Sequence, residues 1–333
     1  MYLHAGTFYL YYLAKSGPYW DNILMATSPD GVHWEEHGCI LSKGEGVTWM
    51  GTGSTWQSPN YEADGKFFMN FSEWRGPRQT IFFAESNDLV HWMRLGDEYE
   101  LKQDTRWYQL DGRWDCIYTN PRPGGGLFGY WTATSLSRGH FGFGQAADGI
   151  RWETLDSPET HGVGEGEVGA VEKIGEIYYM MFGTGGIMVT LVSDKPEGPF
   201  HAAKRNFRLL AGHTYFSRFF PTPDGVLVNH HAIARNGQVY FAPLKQVVVD
   251  DEGALRLGWW TGNEKMKYES IELKLTASSQ RPDTSVVMLA NVLDVTRESS
   301  WKVPWPCRRP RIRRPTGSTL SARKTRARLS WWA

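Results

Sequence analysis

Two acidic residues stand at matching places in this 333-residue chain, each a short distance before a glycine that opens a strand-like run. Asp115 precedes Gly126 in this way, and Glu167 precedes Gly175. Aromatic residues surround both segments, and an apolar cavity can move the pKa values of two carboxyl groups apart. One group then acts as an acid while its partner stays ionised, as in glycosidic bond cleavage. Glu165 competes with Glu167 for this role, and spacing alone separates the two weakly.

The glycines belong to a repeat that predicts the fold. Five of them precede short aromatic or apolar runs at nearly even spacing along the chain, namely Gly6, Gly65, Gly126, Gly175 and Gly237. A second motif interleaves with them, in the segments Asp30-Gly-Val-His-Trp34, Asp88-Leu-Val-His-Trp92, Asp148-Gly-Ile-Arg-Trp152 and a degenerate Asp194 to Phe200. Two motifs in fixed order indicate one supersecondary unit repeated about five times. Runs of β-branched and aromatic residues between tight turns make that unit a sheet, so we predict an all-β, five-bladed β-propeller.

The propeller gives each motif a place. We expect the Asp-Gly pairs to form turns between outer strands and Trp34, Trp92 and Trp152 to pack between neighbouring blades. The innermost strands line a central funnel, and we place each of them directly upstream of a repeated glycine. Asp115 and Glu167 should therefore share one pocket at the starts of two inner strands.

Other side chains near these strands are candidate sugar contacts. Three are tryptophans that would offer ring faces to a sugar: Trp49, Trp56 and Trp114. Glu73 ends a predicted blade-2 strand, where it would contact sugar hydroxyls. Arg218 lies inside an aromatic run, and a buried arginine must be paired. It would either bridge a pocket carboxylate or hold blade 5 against blade 4.

Three segments of the chain carry a family resemblance. They are Glu167-Val-Gly-Ala-Val-Glu-Lys-Ile-Gly-Glu-Ile-Tyr-Tyr-Met, Arg113-Trp114-Asp115-Cys116 and Trp49-Met-Gly-Thr-Gly-Ser54. In this order and spacing they resemble segments of the five-bladed propeller glycosidases, the clan of glycoside hydrolase families 32, 43 and 68. The second segment departs from the Arg-Asp-Pro pattern of family 32, because a tryptophan intervenes and Cys116 replaces the proline. The resemblance covers about residues 1–270.

The resemblance implies a role for several residues. Glu167 would be the general acid, Asp115 the carboxylate that stabilises the transition state or sets the pKa of the acid, and Ser54 a sugar contact. The implied substrates are fructosides or other furanose or pentose glycosides. His230 would line the pocket near the fifth inner strand, as a packing residue, a substrate contact or, as in family 43, a histidine near an axial calcium. We expect no cofactor and assign no metal site.

The resemblance also implies a missing group. The family's nucleophile or base lies on the first inner strand, before the glycine that corresponds to Gly6, and the same spacing here places it upstream of Met1. We therefore expect a first blade that is incomplete and a chain that hydrolyses its substrate poorly. We predict a propeller over residues 1–268 and the first strands of a C-terminal β-sandwich over residues 269–300.

Composition separates the C-terminal tail from the rest of the chain. Residues 301–333 contain eight arginines, two lysines and no acidic residue, whereas the first 300 contain 26 basic and 36 acidic residues. We interpret this basic tail as disordered or as not genuine coding sequence. Nucleic-acid binding is disfavoured because the acidic body would repel phosphates.

The remaining composition narrows the function classes. The sequence has no apolar run long enough for a transmembrane helix, so we expect no membrane span, and the compartment stays open. The three cysteines, Cys39, Cys116 and Cys307, form neither a disulfide framework nor a metal-binding pattern. A carbohydrate is the expected partner. The alternatives are a non-catalytic carbohydrate-binding propeller and, with less support from the inner-strand acids, a protein-interaction propeller.

Overall fold

The structure, a computed structural model, describes residues 1–210, 216–233 and 239–267, together with the backbone of four short strands beyond residue 267. The chain divides into two compact units, Met1–Gly262 and Asn263–Ala333. Helices are short: α1 spans Tyr61–Asp64, and two 3-10 helices span Asp97–Tyr99 and Thr261–Met266. In the described part of the chain, no helix has the length and apolar character needed to cross a membrane.

The first unit consists of five sheets that follow one another along the chain. Blade 1 contains β1 (Tyr2–His4), β2 (Thr7–Ala14), β3 (Asn22–Ser28) and β4 (Glu35–Ser42). Blade 2 contains β5 (Trp49–Gln57), β6 (Phe67–Trp74), β7 (Gln79–Ser86) and β8 (Met93–Arg94). Blade 3 contains β9 (Trp114–Pro121), β10 (Leu127–Ala133), β11 (Gly142–Ala146) and β12 (Glu153–Leu155).

Blades 4 and 5 add short strands to the same plan. Blade 4 contains β13 (Thr160–His161), β14 (Glu167–Ile174), β15 (Ile177–Thr184), β16 (Ile187–Ser193), β17 (Phe200–Ala202) and β18 (Arg208–Leu210). Blade 5 contains β19 (Ser217–Thr222), β20 (Gly225–Ile233), β21 (Val239–Phe241), β22 (Lys245–Val249) and β23 (Leu255–Trp259). Apart from the parallel pair β13–β17, neighbouring strands within these blades are antiparallel.

The inner strands form a closed ring. β5 lies against β9, β9 against β14, β14 against β19, and β19 against β1. β2 lies beside β1 in blade 1, and its contacts with β5 complete the ring. These contacts surround one axis and confirm the predicted five-bladed β-propeller. β1 has three residues, whereas the other inner strands have six to nine.

The repeated tryptophans pack between blades, as the sequence predicts. The Trp152 ring lies 6.1 Å from that of Trp56 in blade 2, and Trp92 lies 5.6 Å from Tyr11 in blade 1. Trp34 closes the series, 5.6 Å from Phe241 in blade 5. Each tryptophan therefore packs against the preceding blade of the ring, and buried aromatic pairs of this kind stabilise the interface beyond their buried area.

The position of the fifth repeat differs from the prediction. The inner strand of blade 5 is β19, and its hairpin contains Gly225 with φ +119°, not Gly237. Pro223-Asp224-Gly225 is a typical turn sequence, since proline presets φ and glycine accepts the left-handed region. Gly237 itself falls outside the described residues, between β20 and β21. β21, which begins two residues after Gly237, pairs with β20 and not with the inner strand.

In the second unit, the described residues beyond position 267 form four strands. β24 (Leu275–Arg281) pairs with β25 (Thr284–Leu289), and β26 (Thr319–Ser321) pairs with β27 (Arg328–Ser330). Most of the predicted sandwich segment and of the basic tail lies outside the described residues. The predicted boundaries at residues 268 and 300 therefore stay predictions.

Candidate active site

The two predicted carboxylates meet at one end of the inner-strand ring, which we call the mouth. Asp115 is the second residue of β9 and Glu167 is the first residue of β14. Arg113 lies between them: its Nη2 is 2.5 Å from Oε1 of Glu167 and 3.9 Å from Oδ2 of Asp115. Those two oxygens can therefore be no more than about 6.4 Å apart. Carboxyl pairs that cleave glycosidic bonds have separations of this order.

Asp115 is held by a buried polar network. Asp115 is 9% exposed, and Ser72 on β6 donates a 2.5 Å hydrogen bond to its Oδ1. Gln79 Nε2 donates in turn to Ser72 Oγ at 3.1 Å. Burial raises the pKa of Asp115 above its ordinary value, while the Ser72 hydrogen bond and the charge of Arg113 lower it. The negative charge of Glu167 also raises this pKa, so the protonated form of Asp115 is favoured more than in water.

Two glycines in β5 make room for this network. A Cβ on Gly51 would lie 2.6 Å from Ser72 Oγ and 3.2 Å from Oδ1 of Asp115. A Cβ on Gly53 would clash with the side chain of the buried Asn70. Glycine at these strand positions therefore permits a close approach of neighbouring groups, which is the usual meaning of glycine inside a strand.

Glu167 is less enclosed than Asp115. Its side chain is 26% exposed, and the following amide, Val168 N, donates to Thr132 Oγ1 at 3.2 Å. Thr132 pairs with Asp115 across β9 and β10, so one residue links the backbones that carry both acids. Glu165, the competing acid, is exposed and precedes β14. The geometry brings Glu167, not Glu165, to Arg113.

Aromatic rings flank the mouth at the start of β5. Trp49 is half-buried and stacks on Trp74, with ring centres 6.1 Å apart and planes inclined by 12°. Trp49 lies two residues before Gly51, which abuts Asp115. This placement fits the prediction of a sugar contact at Trp49.

The other two tryptophans do not fit that prediction. Trp114 is fully buried, and its Nε1 donates to the carbonyl of Leu101 at 2.7 Å. Trp56 is also buried, and its Nε1 donates to Gly149 O at 2.9 Å in blade 3. Both indoles fill the space between or within blades, and neither has an open face for a sugar ring.

Ser54 and Arg218 make contacts between inner strands. The Ser54 hydroxyl donates to the carbonyl of Ile117 on β9. Arg218 Nη1 donates to Gly169 O on β14 at 3.3 Å. Arg218 thus joins blade 5 to blade 4, which is one of the two alternatives that the sequence leaves open. A role of Ser54 in sugar binding stays a prediction.

Glu73 is bound within the protein. It is fully buried, and Arg94 binds its two oxygens at 2.6 and 2.5 Å. Arg75 adds an ion pair at 3.0 Å, and Gly44 N donates at 2.8 Å. Burial raises the pKa of Glu73, but these partners outweigh it and hold the pKa below the ordinary value. The predicted sugar contact does not fit this enclosure, because every approach is taken by protein groups.

Replacing Glu73 by glutamine is expected to lower the free energy of unfolding by about 2–3 kcal/mol, because Arg94 would lose its buried counter-ion. Urea unfolding at pH 7 measures this. The control is Glu85→Gln, which breaks the more exposed pair with Lys66 and should cost less than about 1 kcal/mol. Since the folded-state pKa of Glu73 is depressed, its contribution is lost as the pH falls through that pKa. Equal effects of the two substitutions at pH 7 would contradict this structural role.

His230 lies on β20, not on an inner strand, and it is only 4% exposed. Its Nδ1 donates to the carbonyl of His231 at 2.7 Å. Burial and the nearby charge of Lys245 lower the pKa of His230 to about 4, so the ring is neutral at neutral pH. This burial fits the packing alternative better than sugar contact. No group of three or more potential ligands within the described ranges is arranged to hold a metal ion.

Sequence reasoning missed the partners of the two acids. Ser72 donates to Asp115 from blade 2, and Gly51 lies against both. Arg113 belongs to the resembling segment, but its contact with Glu167 depends on the neighbouring blade. The sequence does contain one signal for these contacts, the two glycines of Gly51-Thr-Gly53 inside a strand. Glycines within a strand mark bulges or places where another group approaches closely.

Known proteins with similar structures share the propeller. No family model matches the sequence, and no curated protein matches it. A sucrose-6-phosphate hydrolase from Lactobacillus gasseri is 14% identical, with a TM-score of 0.62 over 84% of this chain and 62% of that one. A family 32 β-fructofuranosidase from Bombyx mori, solved with sucrose, is 12% identical, with a TM-score of 0.62 over 82% and 64%. A thermostable family 43 glycoside hydrolase is 16% identical, with a TM-score of 0.53 over 77% and 90%.

These identities establish a common fold. The chain spans somewhat under two thirds of the length of the first two proteins. The chain therefore has the five-bladed β-propeller fold of glycoside hydrolases from families 32 and 43.

Proposed function

We propose that the protein hydrolyses O-glycosidic bonds at the mouth of the propeller. The observation that carries the proposal is the pair Asp115 and Glu167, whose carboxyl oxygens lie within about 6.4 Å through their shared contact with Arg113. The two groups differ in environment, since Asp115 is buried and Glu167 is partly exposed beside Arg113.

Glu167 is the general acid in this proposal. It is the more exposed of the two, so its carboxyl group can reach the glycosidic oxygen and give it a proton as the bond to the anomeric carbon breaks. Asp115 lies deeper, where its ionised carboxylate stabilises the positive charge that develops on the sugar ring. Water then bonds to the anomeric carbon and gives a proton to the ionised Glu167 carboxylate, which leaves a hydroxyl group on the sugar and restores the acid.

The proposed substrates are fructosides or other furanose or pentose glycosides. Three sequence segments resemble the propeller glycosidases, and two structures with the same fold are a sucrose-6-phosphate hydrolase and a β-fructofuranosidase solved with sucrose. The stacked pair Trp49 and Trp74 supplies an aromatic face beside the carboxylates. Sugar rings pack their C–H faces on such surfaces, and the burial of apolar area contributes to binding.

The proposal is tested by incubating the purified chain with sucrose and with aryl fructofuranosides, arabinofuranosides and xylosides. We expect slow release of a reducing sugar from at least one of them, and loss of release in the double variant Asp115→Asn, Glu167→Gln. Calorimetric titration with the same sugars measures binding separately.

The same experiment addresses the alternative, a non-catalytic carbohydrate-binding propeller. The Trp49–Trp74 pair favours sugar binding whether or not catalysis occurs. Binding that weakens in Trp49→Ala, without product release in the wild type, would support the alternative and contradict hydrolysis. Absence of both binding and hydrolysis would contradict both functions.

A further inference from the structure

Three neighbouring inner strands each contain one residue more than their partner strand, close to the mouth. In β5, Gly53 and Ser54 lie opposite a single residue of β6, and in β9, Cys116 and Ile117 lie opposite a single residue of β10. In β14, the extra residue is Gly169. These are β-bulges, which occur frequently beside active sites, where they redirect a side chain.

The bulge in β9 follows Asp115 directly. Cys116 has φ +57°, in the left-handed region that residues other than glycine rarely adopt. Trp114 and Ile117 pack in the same core cluster although they are three residues apart, whereas Tyr118 packs in another. Side chains alternate along a regular strand, so this spacing shows that the bulge resets the alternation immediately after Asp115.

Side-chain hydrogen bonds connect the bulges of β5 and β9 in both directions. The Ser54 hydroxyl donates to Ile117 O, and the Cys116 thiol donates to Thr52 O at 3.0 Å. Burial raises the pKa of this thiol, so it stays protonated and keeps its donor. The two contacts are reciprocal, since each bulge supplies one donor and one carbonyl acceptor. We call this pair of contacts the bulge clamp.

We propose that the bulge clamp, formed by Ser54 and Cys116, positions Asp115 for the reaction proposed above. The clamp fixes β9 one residue after the acid and fixes β5 next to Gly51, which abuts Asp115. Ser54 and Cys116 are positioning residues. Ser54 acts through the backbone of the bulges, whereas Cys116 acts through that backbone and also through its side chain, which lowers the pKa of Asp115 directly. This inference rests on the proposed function for its catalytic readout.

The test compares Cys116→Ala and Ser54→Ala, which remove a donor, with Cys116→Ser, which keeps one. We expect each alanine variant to lower kcat by ~10-fold or more with KM changed less than ~3-fold, because small displacements of a reacting group are costly. Cys116→Ser should stay within ~3-fold of the wild type. The double alanine variant should lose less than the product of the single losses, since both donors restrain the same two bulges. Cys39→Ala, at an exposed cysteine on β4, is the matched control and should change nothing.

A second readout separates positioning from stability. Carbon NMR of the aspartate carboxyl groups follows the titration of Asp115, with its signal assigned by its absence in Asp115→Asn. The clamp predicts a displaced Asp115 titration and a displaced acid limb of kcat/KM in both alanine variants but not in Cys116→Ser. Ser54→Ala is the decisive variant, because the Cys116 side chain also lowers the pKa of Asp115 directly. Lower melting temperatures with an unchanged titration and pH profile would overturn the proposal.

These measurements distinguish a failure of the proposed hydrolysis from a failure of the bulge clamp. A wild type without hydrolysis would contradict the proposed function, but the NMR titration would still decide whether the clamp positions Asp115. If Cys116→Ala does not fold, Ser54→Ala removes the reciprocal bond and gives the same readouts. Unchanged titration in Ser54→Ala would then count against the clamp.

Discussion

Replacing Glu167 by glutamine is expected to lower kcat/KM for sucrose-type substrates by about 10²–10⁴-fold, the usual contribution of a positioned general acid. Glutamine keeps the size of the side chain but has no proton of suitable acidity to give to the leaving oxygen. Because the residue is partly exposed at the start of β14, the substitution should leave the melting temperature nearly unchanged. Steady-state kinetics and thermal unfolding of the same preparation measure both quantities.

Leaving-group dependence identifies the role of Glu167. An aryl glycoside with an acidic phenol needs little protonation when it departs, so Glu167→Gln should impair it far less than sucrose. Glu165→Gln is the control, since that residue is exposed and two positions upstream. Equal losses for both substrates would indicate that Glu167 binds the sugar without donating a proton. Loss of activity in Glu165→Gln instead would reverse the assignment of the acid.

The sequence predicted the repeated features because their causes are local. Asp30 Oδ1 accepts from Val32 N and His33 N, each at 2.9 Å, and Asp88 and Asp148 make the corresponding bonds in their blades. A turn of this kind needs only a few consecutive residues, so its signature survives in the sequence. The spacing of the turns then indicated the blades.

The faces of the inner strands could not be predicted in the same way. A shift of one residue moves every later side chain to the opposite face, and three inner strands contain such a shift. Trp114 precedes the shift in β9 and faces the core by ordinary alternation, whereas the shift brings Ile117 into the same core cluster. Nothing in the local sequence of Cys116 indicates its positive φ, which occurs at the register shift between β9 and β10.

Ion-pair partners that are distant in the sequence were a second reason why site residues could not be predicted. Glu73 resembled an accessible acid at a strand end, but Arg94, on another strand of the same blade, binds both of its oxygens. In blade 5 the glycine-aromatic motif at Gly237 predicted the inner hairpin, but the hairpin of β19 and β20 contains the Pro223-Asp224-Gly225 turn, and His230 lies on β20 beside the inner strand. The Pro223-Asp224-Gly225 turn was the better guide there, since Gly225 has a positive φ and lies in the hairpin of the inner strand.

Replacing Asp115 by asparagine is expected to lower kcat by about 10²–10³-fold, because the variant lacks the charge that stabilises the developing cation. KM should change little. Whereas kcat falls, the stability of the fold should stay the same or increase. Burial raises the folded-state pKa of Asp115, so the ionised carboxylate destabilises the fold once the pH exceeds that value. Asp115→Asn should therefore unfold at the same temperature as the wild type at pH 7, or at a higher one.

The pH profile provides the sharper measurement, since the reaction requires Asp115 in its ionised form. Activity should fall as the pH decreases through the raised pKa of Asp115, and Ser72→Ala should move this acid limb to higher pH. The Ser72 hydroxyl favours the carboxylate, so its removal raises the pKa further. Two control variants should leave the acid limb in place. Ser157→Ala changes another buried serine. Glu172→Gln removes a carboxyl group whose pKa is raised by burial to about 7. An acid limb that moves with Glu172→Gln and not with Ser72→Ala would remove Asp115 from the reaction and leave the deeper carboxyl of β14 as the titrating group.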